Sequence, residues 1–275
     1  MRGAKLSGWR RIASAMWDAP NDPQIYGALD IPAGPVLDFM ARARAEGHHV
    51  TPTHLVGRAV AHGLAQVPDL NVRLHNGRAV ARSSVEVFFI TAVEGGHDLS
   101  GVKIEHADEK SAVEVSRELD LRAKRLKQQH DPTFTKVKRT MEALPHPLLR
   151  LALRVTCHVA NELDRDFKSV GVERSPFGSA MVSSVGMFGL PHGFAPISWM
   201  YPVPALILVG EITDKPLAIQ GKVEVRPVIP ICATLDHRYM DGWHISRLLA
   251  HFKEYLANPP AFEPDIEVRR AFAEA

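Results

Sequence analysis

The chain has 275 residues, of which 45% are hydrophobic and 23% charged, and its formal net charge is +2. That is the profile of a soluble globular protein with a sizeable core, built as one large domain or two small ones. Lys and Arg are scattered among Asp and Glu, so the electrostatic footprint of a nucleic-acid binder is missing.

In chain order, GWRRIASAMWDA (8–19) places Ile12, Ala13, Met16 and Trp17 at helical spacing and is closed by Pro20, which predicts a helix. QIYGALDIP (24–32) reads as a strand. PAGPVLDFMARARAEG is a helix opened by Pro35 and ended by Gly47, with Val36, Phe39, Met40 and Ala43 on one face. THLVGRAVAHGLAQVP (53–68) is a helix apolar on most sides, so burial is expected. GRAVARSSVEVFFITAVEGG (77–96) reads as two strands joined by a polar turn near Ser83 and Ser84.

SAVEVSRELDLRAKRLKQQ (111–129) is a long amphipathic helix with Val115, Leu119 and Leu126 on one face. LPHPLLRLALRVTCHVANELDRDF (144–167) sets Arg150, Arg154, His158 and Glu162 at successive i, i+4 steps, a narrow polar stripe on an otherwise apolar helix that must be covered by something. From Ser179 strands return in AMVSSVGMFG, PALILVGEI and VEVRPVIPICATLDHR. A last helix, DGWHISRLLAHFKEYL, is stopped by Asn258 and Pro259. With no βαβ rhythm, repeat or Gly/Ser/Pro linker, the layout is mixed α+β: one domain over 1–275, with a helical insertion at about 130–172.

Cys157 and Cys232 are the only cysteines and belong to no metal spacing, so neither a disulfide framework nor a metal site is expected, and a reducing cytoplasm fits. Apolar runs such as VPALILVG (203–210) are well short of the roughly 18 residues of a membrane span, so a membrane partner is not expected. The basic N-terminus has no apolar core or small-residue cleavage site, so it is not a secretory signal and Met1 is the expected start.

Four ionisable groups meet where the last strand gives way to the last helix: Asp236, His237, Arg238 and, before the helix, Asp241. A side chain at such a junction is both rigidly held and accessible. His237 can be a structural histidine between Asp236 and Arg238, or a functional one. A metal set of His237, Asp241 and His244 lacks an obvious fourth ligand.

DHRYMDG resembles the H-x-x-x-D-G signature of the dihydrolipoamide acyltransferase cores of 2-oxo acid dehydrogenase complexes and of chloramphenicol acetyltransferase. SSVGMFGLPHGFAPI (183–197) is similar to that family's Ser-Asn-Leu-Gly-x-x-Gly segment with its following Phe-x-Pro-Ile, and VPALILVGEI (203–212) falls at the expected place after it. VTPTHLVGRAVAHGLAQVPDLN (50–71) is similar to the family's Thr…Ala…Ala-Leu…Pro-x-x-Asn helix. The likeness covers most of the chain in the correct order.

The resemblance implies an α+β, two-layer fold like that of chloramphenicol acetyltransferase, a mixed sheet with helices, assembled as a homotrimer with its active site between subunits. It implies a CoA-dependent acyltransferase in which His237 is the general base and Ser183 donates to the oxyanion of a tetrahedral intermediate; Ser184 is the alternative donor. Asp241 is implied as an orienting group whose partner is an early arginine, Arg10 or Arg11. The acceptor is a dihydrolipoyl-like thiol or a hydroxyl.

The physics separates those acceptors. A thiol of pKa about 8.5 is only about 3% thiolate at neutral pH, so its ionisation is worth at most about 30-fold. An alcohol needs more, and general-base catalysis then contributes on the order of 100- to 10,000-fold.

The match also departs from the family. No lipoyl or peripheral-subunit-binding domain is present, so no covalently bound lipoyl group is expected here, and a lipoylated protein would act in trans. DLSGVKI (98–104) replaces a Gly-Leu-x-x-Pro-Val-type segment, and Pro23-Gln24 a Pro-His. IEVRRAFAEA carries four charged residues in ten where the family's cages carry an apolar anchor, which predicts a free trimer.

Overall fold

The sheet grows from β9 (Lys222–Asp236), a 15-residue strand rich in Val and Ile. Its first half alternates toward solvent, and from Val228 onward it is almost continuously buried because strands flank it on both sides. The computed structural model describes residues 22–75, 77–93, 98–128, 145–159, 175–198 and 202–263. The expected first helix, Arg10, Arg11, Glu162 and the segment 266–275 lie outside those residues.

Before β9 come β1 (Gln24–Pro32), α1 (Gly34–Ala45), α2 (Pro52–Gln66), β2 (Val72–His75), β3 (Arg78–Ala81), β4 (Val87–Val93), β5 (Asp98–Ile104), α3 (Ala112–Gln128), α4 (His146–Cys157), β6 (Ala180–Ser184), β7 (Ala205–Val209) and β8 (Thr213–Ile219); α5 (Gly242–Ala257) follows it. The main sheet runs β1-β9-β7-β6-β4-β5, with β8 paired to β9, and β2-β3 form a separate ribbon. It is mixed: β4 and β6, and β6 and β7, pair in parallel, and the other pairs are antiparallel. This is the α+β layout expected.

Strand alternation divides the core. Val182, Ile207, Ile229, Ile231 and Leu235 share one cluster with Val36 and Phe39 of α1, Leu55 and Val60 of α2, and Phe252 and Leu256 of α5. Met181 and Leu206 face the other way, against Phe88, Ile90, Phe177 and Ile197. Helix α2 is nearly all buried, as its all-round apolarity predicts. A Cβ on Gly57 would come 2.2 Å from a ring carbon of Phe89, so this glycine sets how closely α2 approaches β4.

Some expectations change in the structure. The two strands of 77–96 exist but serve different sheets, β3 in the ribbon and β4 in the main sheet. A polar knot carries the chain between them: Asn71 Nδ2 donates to the Ser84 carbonyl (3.1 Å), Ser179 Oγ donates to Asn71 Oδ1 (2.6 Å), and the Glu86 amide donates to Ser179 Oγ (3.1 Å). DLSGVKI is a strand, β5, and the hairpin of β8 with β9, turning at Gln220-Gly221 with positive φ at both, was not marked by a hydrophobic pattern. Pro216 on β8 disguises that edge strand. On α4, Leu148, Leu151 and Val155 remain exposed, so nothing within the described chain covers that face.

Candidate active site

The backbone on either side of His237 is fastened. The Asp236 amide donates to the Pro204 carbonyl (3.0 Å), and the His237 amide donates to the Pro23 carbonyl just before β1 (2.8 Å). The chain then turns, with the Tyr239 amide donating to the Asp236 carbonyl (3.0 Å). His237 is thereby presented exposed at the rim of the sheet while Tyr239 and Met240 on its C-terminal side are buried.

Asp236 is 1% exposed, and its carboxylate is committed to Arg238. It accepts from the Arg238 amide (2.9 Å), from Nε at both oxygens (3.0 Å each), and from a terminal guanidinium nitrogen (2.6 Å). A buried carboxylate so surrounded meets the requirement that a charge out of water be paired and hydrogen-bonded. The pair in turn holds Arg238 firmly protonated, chiefly through the hydrogen bond to Asp236. Burial pushes the Tyr239 phenol up, and its hydroxyl donates to the Pro202 carbonyl (3.1 Å). This i, i+2 clasp across the turn is a function of Asp236 and Arg238 that their sequence clustering signalled without revealing its partner choice.

Asp241 is the N-cap of α5, accepting from the Trp243 amide (3.0 Å) and the His244 amide (3.2 Å). His244 Nδ1 also donates to it (2.7 Å), and this side-chain hydrogen bond is the first cause holding the Asp241 carboxyl below the usual carboxylate range. His244, which the sequence offered only as part of an incomplete metal set, is a partner of Asp241. Among the described residues no three His, Cys, Asp or Glu side chains are grouped to hold a metal ion.

Ser183 lies on β6, half-buried, on the same face as Met181 and away from the helices, whereas Ser184 points to the opposite face. The turn that follows depends on close backbone approach: a Cβ on Gly186 would meet Gly210 backbone atoms at 2.6 Å, and Gly189 adopts φ +72°. Ser183 pairs with Leu208, and Leu208 with Cys232 of β9, five positions before His237. At about 3.3 Å per residue the two differ by roughly 16 Å along the strands. The structure joins Asp236 to Arg238 on either side of His237, sets Asp241 against His244, and leaves Ser183 on β6 at the level of Cys232.

Beside the clasp opens a cleft of about 550 Å³ whose walls include Pro23, Asp236, Arg238 and Tyr239. Arg154 of α4 and His158 at its C-cap, both from the polar stripe of the sequence, also line it.

A sequence model of the family described as 2-oxoacid dehydrogenases acyltransferase (catalytic domain) matches residues 3–132 and 168–262. The dihydrolipoyllysine-residue acetyltransferase component of the pyruvate dehydrogenase complex of Mycoplasma capricolum is 25% identical over 219 residues, 79% of this chain and 40% of that protein. The corresponding component of the acetoin cleaving system of Bacillus subtilis is 26% identical over 216 residues, 78% of this chain and 43% of that protein. The chain thus spans less than half the length of these curated relatives. Among solved structures, a dihydrolipoamide acetyltransferase of Azotobacter vinelandii, studied for the roles of a serine, a histidine and an asparagine in its catalytic mechanism, superposes with a TM-score of 0.64 at 20% identity, covering 88% of this chain and 84% of that one. A probable dihydrolipoamide acetyltransferase of Listeria monocytogenes gives 0.63 at 19% identity over 97% of both chains. A chloramphenicol acetyltransferase gives 0.50 at 15% identity, covering 86% and 89%.

Proposed function

Because this chain belongs to the family of 2-oxoacid dehydrogenase acyltransferase catalytic domains, we propose that it moves an acyl group between CoA and a thiol or hydroxyl acceptor, with His237 as general base. The observation that carries this reading is the fastened, exposed presentation of His237 at the strand end, anchored through Pro23 and the Asp236–Arg238 clasp. Imidazole takes the proton of the acceptor as its sulfur or oxygen attacks the thioester carbonyl. The oxyanion that forms accepts a hydrogen bond from Ser183, and collapse expels the CoA sulfur, which takes the proton back from imidazolium. One oxyanion donor of this kind is worth about 100- to 1,000-fold.

His237 and Ser183 cannot touch one carbonyl within a single subunit at roughly 16 Å, because reacting groups must lie about 3 Å apart. A homotrimer in which His237 of one subunit faces Ser183 of its neighbour resolves the distance. Exposed Met187, Phe188, Leu190 and Phe194, immediately after β6, offer the apolar surface such an interface needs. Asp241 stands four positions after His237, the spacing of the histidine and asparagine studied in the Azotobacter enzyme. Here it shapes the start of α5 behind the base.

The named relatives are dihydrolipoyllysine-residue acyltransferases, which supports a lipoyl acceptor carried by another protein, a core subunit served in trans. The experiment is thiol release from a panel of acyl-CoA thioesters, with and without dihydrolipoamide, in wild type and His237→Ala. Acceptor-dependent release that collapses in the variant supports the assignment. A folded trimer inert toward every thioester and acceptor would favour a non-catalytic scaffold. Light scattering tests the assembly, since a 24-mer or 60-mer contradicts a free trimer.

A further inference from the structure

The His237 amide lies one step past the last register pair of β1 with β9, Gln24 opposite Asp236, and its partner is the Pro23 carbonyl (2.8 Å). Proline has no N–H, so the main chain at residue 23 cannot be held through an amide of its own. Its neighbours hold it instead. Asp22 Oδ1 accepts from the Gln24 amide (3.1 Å) and from Gln24 Nε2 (2.9 Å), which closes a side-chain turn around Pro23.

The other end of the Gln24 side chain reaches the core. Gln24 Oε1 accepts from the Ile197 amide (2.6 Å), 173 positions away in the chain. Ile197 packs on the cluster of Met181, Val203 and Leu206, so its backbone is tied to the second face of the sheet. Phe194, three residues earlier, meets Tyr26 of β1 edge-on with 5.4 Å between ring centres, which seats the same segment on the same strand. Only one orientation of the Gln24 amide serves both partners, because a backbone N–H needs an acceptor and a carboxylate needs a donor.

We propose that Gln24 is a positioning residue for the reaction: it locks Pro23 between Asp22 and the core-bound Ile197, and through the Pro23 carbonyl it sets where His237 stands. The link to catalysis rests on the acyltransferase reading; the anchoring of His237 does not. The Asp236–Arg238 clasp secures the turn from the β9 side, and Gln24 secures it from the β1 side, so neither fastening replaces the other. Methionine matches the length of glutamine without its N–H or carbonyl, whereas a neutral imidazole again offers one donor and one acceptor.

Hydrogen exchange read by mass spectrometry and steady-state kinetics, both on the full chain, test this. In Gln24→Met, exchange in the peptide spanning 236–240 rises about ten-fold or more. Its kcat falls by up to about 30-fold with a thiol acceptor while KM is unchanged, since a misplaced base forfeits no more than its own contribution. Gln24→His, assayed at about pH 8 where imidazole is neutral, recovers most of both and serves as the folded control. In a His237→Ala background Gln24→Met costs nothing further, because no base remains to be misplaced. The inference is overturned if Gln24→Met leaves exchange and kcat at wild-type values, or if its loss of kcat persists without His237. It is also overturned if only KM rises, which would make Gln24, one of the residues lining the neighbouring cleft, a substrate contact instead. Exchange that depends on Gln24 without any thioester turnover would sink the acyltransferase reading alone, and turnover with exchange indifferent to Gln24 would sink this inference alone.

Discussion

His237 and Ser183 are offset by five strand positions along one sheet, Ser183 level with Leu208 and Cys232 and His237 beyond the end of β9. A site using both must be assembled from two subunits. Co-expressing His237→Ala and Ser183→Ala chains, each nearly inactive alone, restores activity to about a quarter of the sites by random assortment around a symmetric ring. Measured rates in the mixed trimer that stay at the level of the parents would refute a shared site.

In the proposed mechanism Asp236 acts only through the position of His237. Asp236→Asn keeps the shape but loses the charge that grips Arg238, and the displaced base forfeits at most its own contribution, about 30-fold in kcat for a thiol acceptor. Combined with His237→Ala, the substitution adds no further loss. Steady-state kinetics of the single and double variants decide this, and wild-type kcat in Asp236→Asn would rule out the positioning role.

The start of α2 makes stability depend on pH. His54 Nδ1 accepts from the Thr51 amide (3.2 Å) in the place where a capping box has Glu or Gln. Burial, partly opposed by Asp120, lowers the His54 pKa from 6.5 to about 4. The unfolded chain then binds the extra proton between those values, so stability is full above pH 6.5 and is lost as pH falls toward 4. The loss is about 3 kcal/mol. Urea midpoints at pH 7 and pH 5 show it, and His54→Gln, which keeps an acceptor, flattens the difference.

Glu263 ties the end of α5 to the rest of the core. It accepts from Arg58 Nε (3.2 Å), from the Tyr255 hydroxyl, and from the Ala112 amide (2.6 Å). Arg58 also donates to the Ala107 carbonyl (2.5 Å) and is 5% exposed. Glu263→Ala strands that buried guanidinium and costs about 3–5 kcal/mol in denaturant unfolding. A combined Arg58→Met and Glu263→Ala chain recovers much of the loss, because no unpaired charge remains. A double variant less stable than Glu263→Ala alone would contradict the argument.

The sequence by itself determined the elements whose side chains repeat with a clear period. The face of α1 formed by Val36, Phe39 and Ala43, the burial of α2, and the long apolar run of β9 are local patterns that can be read before any fold exists. The words around His237 and Ser183 pointed to the family that the sequence model over 3–132 and 168–262 matches, because such short motifs are local and can be read without the fold. Partners distant in sequence were illegible. The clasp of the His237 amide to Pro23, the meeting of Arg73, Arg82 and Arg154 in one cleft, and the knot of Asn71 with Ser84 and Ser179 have no periodic signature. Only the tertiary structure decided them, since each depends on which buried polar groups the packed sheet leaves within hydrogen-bonding reach. It also decided the separation of Ser183 from His237, a distance set by strand register rather than by any residue between them.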